Sequence, residues 1–465
     1  MGADGFIENR PFAEIALGDT ASLTRVFARE DLDFFALITG DAGPSLVDVP
    51  AAKDVPNFQA VTHGLFSGGL IASVLGTKLP GPGTIYLEQS LKFLKPIEIG
   101  DTITATVTAK SKDTASFRIM FGCVCTNQAG LCVAEGTALV EAPGKKLRLP
   151  RTELPDVQLS RHQRFRTLLA RAVGLPPLKT AIAYPCDANA VGAAVEAARA
   201  GLIAPILVGP RLLIESAAAA AHVDVTPYPI VDALNSEAAA AAAVALVTKG
   251  EAQLLMKGSL HTDELLHAVL APQSNLRTER RLSHVYLFDV PSYSKPLLVT
   301  DAAVNIAPDV EEKRDIIQNA IDLAHVMGIA EPKVALLSAV ETVNPKIKST
   351  LDAAALCKMN ERGQITGGVL DGPLAFDNAI SPAAAAEKGI VSPVAGQADI
   401  LVVPDLEAGN MLAKQLSFFA GADAAGVVLG AGVPIILTSR ADAERTRMAS
   451  CAVAVLIARA AKITT

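Results

Sequence analysis

Residues 102–108 read Thr-Ile-Thr-Ala-Thr-Val-Thr, a strict alternation of hydroxyl and apolar side chains. Successive side chains on a strand point to opposite faces, so this run has one dry face and cannot settle as a helix. The same period continues to about Val140. Further strands are predicted at Ile85–Leu94, Ser116–Thr126 and Leu131–Glu141. Ahead of them lies Gly64–Leu75, a helix with almost no polar face. Such a helix must be enclosed, and the sheet is what can enclose it. An α+β domain over residues 1–143 follows.

The rhythm then changes twice. Residues 144–165 hold Pro150 and Pro155, several Lys and Arg, and little apolar period, so they are predicted to link two domains. Beyond Leu178, short apolar strands alternate with Ala-rich helices. The strands are Thr180–Tyr184, Pro205–Gly209, Gln253–Lys257, Pro296–Thr300, Lys333–Ala339, Ile400–Pro404 and Pro434–Thr438. In one helix Ile316, Ala320, Leu323 and Met327 recur at helical spacing, with Asp309 and Glu312 as N-terminal cap and Gly328 as stop. This is the pattern of an α/β domain, over 166–465, with a mostly parallel sheet covered on both faces.

Composition closes off several functions. Half of the 465 residues are hydrophobic, which excludes disorder as the main state. The net charge is −7, opposite to what wrapping a nucleic acid needs. The longest apolar run, Ala238–Val247, is too short to span a membrane, where about 20 residues are needed. The N-terminus has neither the basic start nor the apolar stretch of a signal peptide, so the expected location is cytoplasmic. Among six cysteines, Cys123 and Cys125 share one strand face. They lack further ligands for a metal site, and are read as buried structural thiols.

In sheets of this kind ligands bind beyond the carboxyl ends of the strands. The polar residues there are Lys257, Asp301, Ser338 with Glu341, Asp405 with Asn410, and Ser439 with Arg440. The last pair is the sharpest. A strand delivers a hydroxyl beside a guanidinium, whose planar donor fork suits phosphate oxygens, and Asp442 and Glu444 follow at a helix start. Gly426, Gly430 and Gly432 resemble half of a dinucleotide fingerprint, but they precede their strand and Pro434 interrupts them.

These motifs carry a resemblance. Met256-Lys257-Gly258, Thr300-Asp301-Ala302-Ala303-Val304-Asn305, Gly372-Pro373-Leu374-Ala375-Phe376-Asp377-Asn378-Ala379, Asp405-Leu406-Glu407-Ala408-Gly409-Asn410 and Thr438-Ser439-Arg440-Ala441-Asp442 stand in order. The set resembles the phosphate acetyl/butyryltransferase family from about Arg166 onward. The resemblance implies a two-subdomain fold like isocitrate and isopropylmalate dehydrogenases, with subdomain I at about 166–290 plus 430–465 and subdomain II at about 291–429. It implies the reaction acyl-CoA + phosphate ⇌ acyl phosphate + CoA. Coenzyme A is then a substrate, and no tightly bound cofactor or metal is called for. Arg440 would stabilise charge on the carbonyl and leaving phosphate, and Ser439 would hold the CoA sulfur. Lys257, Asp301 and Asn410 join the substrate site, with Arg277 for a CoA phosphate and Arg280 and Arg281 as rivals. Acetyl-type members carry an acidic thiol base seven positions after the serine. Here Thr446 stands there, leaving Asp442, Glu444 or solvent.

Residues 14–142 resemble the MaoC-type hotdog domain of (R)-specific enoyl-CoA hydratases, on Gly40-Asp41, Pro44, Asp48, Thr62-His63-Gly64 and Leu91–Gly100. The family pattern Gly-Asp-x-Asn-Pro-x-His has lost its Asn to Gly43 and its His to Leu46. Leucine transfers no proton, so Asp41 and His63 are what remains of a hydratase site. The readings are a thioester-binding or dimer-forming remnant, or an active hydratase fused to the transferase. By analogy with both families the chain forms a homo-oligomer, a dimer or higher.

Overall fold

The computed structural model describes residues 6–40, 64–150, 163–437 and 443–461. The chain divides into two compact units, Met1–Leu159 and Ser160–Thr465. In the first, the elements are β1 (Phe6–Glu8), β2 (Thr20–Val26), α1 (Arg29–Thr39), α2 (Gly64–Thr77), β3 (Ile85–Phe93), β4 (Thr102–Asp113), β5 (Arg118–Thr126), β6 (Cys132–Glu141) and β7 (Arg148–Pro150). Five strands form one antiparallel sheet in the order β2-β4-β5-β6-β3. The alternation at 102–108 does what its period requires: Ile103, Ala105 and Val107 are buried while the threonines between them are half-buried. Helix α2 sets Leu70, Ile71, Val74 and Leu75 into the same core. Cys123 and Cys125 are buried there too, and burial pushes their thiols up to about 12 and about 11.

The segment read as a linker is partly built into both units. Strand β7 pairs with β1, and the buried Asn9 side chain donates to Lys145 O (2.9 Å) and accepts from Leu147 N (2.7 Å). At its other end, helix α3 (Gln163–Ala172) tucks Phe165 into the core of the second unit, and Arg164 pairs with Asp289 at 2.8 Å. The prolines and basic residues of 144–165 masked these short anchors. They set composition, whereas single side chains such as Asn9 and Phe165 set attachment.

After α3 the second unit runs through β8 (Leu178–Ala183), α4 (Ala188–Arg199), β9 (Ile203–Val208), α5 (Arg211–Ala220), β10 (Ile230–Val231), α6 (Ser236–Thr248), β11 (Leu254–Lys257), α7 (Thr262–Leu270) and β12 (Ser283–Asp289). It continues with β13 (Leu297–Thr300), α8 (Val310–Met327), β14 (Lys333–Leu337), α9 (Lys348–Glu361), β15 (Val369–Leu374), α10 (Phe376–Ile380), α11 (Pro382–Glu387) and β16 (Ile400–Val402). The last elements are α12 (Leu406–Phe418), β17 (Asp423–Leu429), β18 (Ile435–Ile436) and α13 (Glu444–Ala461). Helix α8 has the caps read from its sequence. Asp309 accepts from Glu312 N, the Glu312 carboxylate accepts from Asp309 N, and Gly328 takes a left-handed φ of 95°. The Ala-rich run forms α6, its buried face Ala239, Ala240, Ala243, Val244 and Val247. Among the described residues no helix is long and apolar enough to cross a membrane.

Eleven strands make one sheet, ordered β10-β9-β8-β11-β18-β17-β12-β13-β16-β14-β15. The expected parallel pairing holds in two sections. Strands β10, β9, β8, β11 and β18 run one way, and β13, β16, β14 and β15 run the other. Between them β18-β17-β12-β13 pair antiparallel, forming a seam. The physical cause is connection length, since a parallel pair needs a crossover of a dozen or more residues. Only residues 290–296 join β12 to β13, and only 430–434 join β17 to β18. Gly430 belongs to the second of these turns, at φ 88°, where a Cβ would lie 2.3 Å from Arg281 O. Two of the glycines that resembled a nucleotide fingerprint, Gly430 and Gly432, lie in the turn of a hairpin, and Gly426 lies within β17.

Candidate active site

The seam divides the polar strand ends. Lys257 closes β11, and Leu437 follows β18, leading to Ser439 and Arg440. Asp301, Ser338 and Asp405 follow strands of the opposite sense. Ser439, Arg440 and Asp442 lie outside the described residues, as do Asp41 and His63.

Asp301 is buried, and burial pushes its carboxyl above the usual range against the hydrogen bonds it receives. Oδ1 accepts from Ala303 N (2.9 Å) and Val304 N (3.0 Å). Oδ2 accepts from Asn305 N (3.2 Å) and Asn305 Nδ2 (2.6 Å). A carboxylate accepting four hydrogen bonds from residues 303–305 is holding a turn in place. The turn is held from outside as well: Asn410 Nδ2 donates to Ala302 O at 3.4 Å, and Asn305 Nδ2 also reaches Leu282 O at 2.8 Å. The structure therefore joins Asp301 and Asn410 around one turn. That turn packs Ala303 and Val304 onto the apolar cluster containing Leu255, Leu260, Ile435 and Leu437, so the two sections of the sheet meet there.

Other strand-end residues are also engaged by their own chain. Asp405 caps α12 by accepting from Ala408 N (2.9 Å), Ser338 Oγ shares a hydrogen bond with Ser349 Oγ (2.8 Å), and Glu341 pairs with Lys388 (3.3 Å). Lys257 is buried, with Nζ 3.4 Å from Gly258 O. Beyond it, Ser259 Oγ donates to Tyr184 O (2.8 Å) and accepts from Cys186 N (3.0 Å), tying the ends of β8 and β11 together.

The three arginines of the 277–281 loop separate cleanly. Arg280 pairs with Asp322, and Arg281 bonds Glu312 (3.0 Å) and Asn305 Oδ1 (2.8 Å). Arg277 is exposed, and its guanidinium pairs with no carboxylate among the described residues. Among the described residues, Arg277 is therefore the charge of this loop that an arriving anion would meet without a carboxylate beside it. Glu444 opens α13 and faces α4, where Glu196 has its carboxyl raised first by burial and then by the charge of Glu444. Glu196 lies two turns along α4 from the Asp187 cap at the carboxyl end of β8.

Sequence reasoning missed His284 on β12 and the part played by Asn305. Asn305 was legible as the fourth residue after an Asp in a small-residue turn. His284 carried no signal beyond its place in a strand. Among the described residues no group of three or more His, Cys, Asp or Glu could hold a metal ion.

A family model described as phosphate acetyl/butaryl transferase matches residues 234–455. Over 303 residues the chain is 62% identical to the phosphate acetyltransferase of Rhizobium meliloti, covering 64% of this chain and 96% of that one. The chain belongs to the phosphate acetyl/butaryl transferase family. It is also 42% identical over 294 residues to the phosphate butyryltransferase of Clostridium acetobutylicum, covering 63% of this chain and 98% of the relative. Among solved structures it is similar to a branched-chain phosphotransacylase from Enterococcus faecalis V583, at 32% identity and a TM-score of 0.54 over 60% of this chain and 99% of that one. A second family model, a MaoC like domain, matches residues 14–123, within the first unit. The protein is thus an acyltransferase of this family with a MaoC-like domain ahead of it.

Proposed function

We propose that the second unit catalyses acyl-CoA + phosphate ⇌ acyl phosphate + CoA on acetyl-CoA or a short acyl-CoA. One observation carries this: 62% identity along 96% of a phosphate acetyltransferase. In the direction of thioester synthesis, the CoA sulfur attacks the acyl carbonyl carbon. The carbon–oxygen bond to phosphate breaks, and phosphate leaves with the electron pair. Arg440 stabilises the charge that grows on the carbonyl and phosphate oxygens, a preorganised role that needs no movement at the moment of reaction. Ser439 holds the sulfur, and the pair aligns thiol and carbonyl. The thiol proton passes to Asp442 or to water. Glu444, turned toward Glu196, is the weaker base candidate. Arg277 takes a CoA phosphate, Lys257 attracts the anions from the end of β11, and Asp301 with Asn410 shapes the wall.

The two sections of the sheet are read as the two subdomains, about 166–290 with 430–465 and about 291–429, in the manner of isocitrate and isopropylmalate dehydrogenases. They interlock, since β17 lies between β18 and β12. The MaoC-like domain, read as 1–143, is a thioester-binding or dimer-forming remnant, because Leu46 stands where a hydratase needs its histidine. The chain works in the cytoplasm as a homo-oligomer, with CoA as substrate and no resident cofactor. Acyl phosphate formation from acetyl-, propionyl- and butyryl-CoA, followed as phosphate-dependent CoA release, tests the main reading. Absence of release with all three overturns it. Crotonyl-CoA hydration by the full chain at ordinary enzyme rates overturns the remnant reading.

A further inference from the structure

His284 is fully buried on β12, and neither of its ring nitrogens has a hydrogen-bond partner among the described residues. Burial drives its pKa down to about 3, so the ring is neutral, with one N–H donor and one bare acceptor. A leucine or phenylalanine would fill the site without that unmet demand, so the core gives no reason for an imidazole here.

Its surroundings point to the site. Val428 stands directly across the ladder, and diagonally, opposite Tyr286, lies Gly426, where a Cβ would lie 2.9 Å from His284 Nε2 and 3.0 Å from Leu437 O. The ring nitrogen and the carbonyl of Leu437 thus flank one point that only glycine leaves clear. Leu437 is the residue from which the chain runs on to Thr438, Ser439 and Arg440. The other side of His284 is fixed: Thr300 Oγ1 donates to its carbonyl at 2.9 Å, its backbone N–H faces the Asp301 carboxylate, and the Tyr286 ring meets the imidazole edge-on at 4.3 Å. The residue is anchored to the Asp301 turn and aimed at the end of β18.

We propose that His284 is a positioning residue of the transferase, whose ring takes up a hydrogen bond at the Leu437 carbonyl when substrates are bound and so fixes the backbone at the end of β18. The inference rests on the transferase reading above. No proton passes through the ring, which stays neutral throughout the working pH range.

The test uses the full chain with His284→Leu and His284→Gln. A positioning role predicts that the leucine variant keeps or raises its melting temperature while kcat falls about 10- to 100-fold. KM for CoA stays within about threefold, because ground-state binding is untouched. Glutamine, which can donate and accept, recovers a substantial part of kcat. A leucine variant with wild-type kcat overturns the proposal, as does a glutamine variant no better than leucine. Should the leucine variant not fold, ¹⁵N spectra of the seven histidines in the wild-type protein decide. The His284 ring signals move when CoA and inorganic phosphate are added, and unmoved signals at saturation overturn the proposal. Failure of the transferase reading is distinguishable, because it removes acyl phosphate formation from the wild-type protein as well.

Discussion

The two parallel sections of the long sheet end in polar residues of much the same kind, yet they use them differently. Past β13 and β16 the carboxylates are spent on their own chain: Asp301 on a turn, Asp405 on a helix cap. On the other side of the seam the strand of Ile435–Ile436 leads toward a serine and an arginine, and the His284 ring beside it has no hydrogen-bond partner among the described residues. A polar side chain at a strand end is therefore weak evidence of chemistry. A strand-end side chain whose hydrogen-bonding capacity is already taken by its own chain serves as wall.

That contrast can be broken by experiment. Arg440→Ala should give the largest effect, a fall in kcat of about 10²- to 10³-fold with an unchanged circular dichroism spectrum and melting temperature; a fall below tenfold would remove the working group from its side. Asp301→Ala should instead destabilise, by about 3 kcal/mol, because it strands the backbone donors of Ala303, Val304 and Asn305. Urea unfolding followed in the second unit checks this, and an unaltered midpoint would contradict the wall reading. Arg277→Ala should raise KM for CoA roughly tenfold with kcat preserved, while Arg280→Ala, already paired with Asp322, leaves both constants as they are.

Among the residues assigned to the site, Glu444→Gln should have the smallest effect, changing kcat by less than about twofold. Its signature lies in stability against pH. Glu196 binds its proton more tightly folded than unfolded, because burial and then Glu444 raise its pKa. The stability this provides is complete below the unfolded value of about 4.3 and is lost as pH rises through the folded one. Removing the charge at 444 should shallow that decline, which melting temperatures between pH 4 and 7 would record.

Much of this was open to reading in the chain itself. The threonine alternation specified a sheet, the unbroken apolar face of Gly64–Leu75 specified the helix it encloses, and Asp309, Glu312 and Gly328 marked both ends of α8. These are local consequences of period and capping. The seam was not legible, although Leu282–Val290 reads as strand-like, because a strand's direction depends on the length of the connection that follows it. The division of polar ends was half legible. Asp301 precedes small residues whose N–H groups lie within reach of its side chain, a local motif, whereas the isolation of His284 depends on Gly426, far away in sequence.

The eleven strands are hydrogen-bonded without a break from β10 to β15. Halves sewn together in this way have no free hinge between them. Any swing of one against the other must be spread as torsion along the rungs of β18, β17, β12 and β13. The amides of β12 and β17 should then be among the slowest to exchange with deuterium, and whatever mobility catalysis requires is left to the connections at the rims.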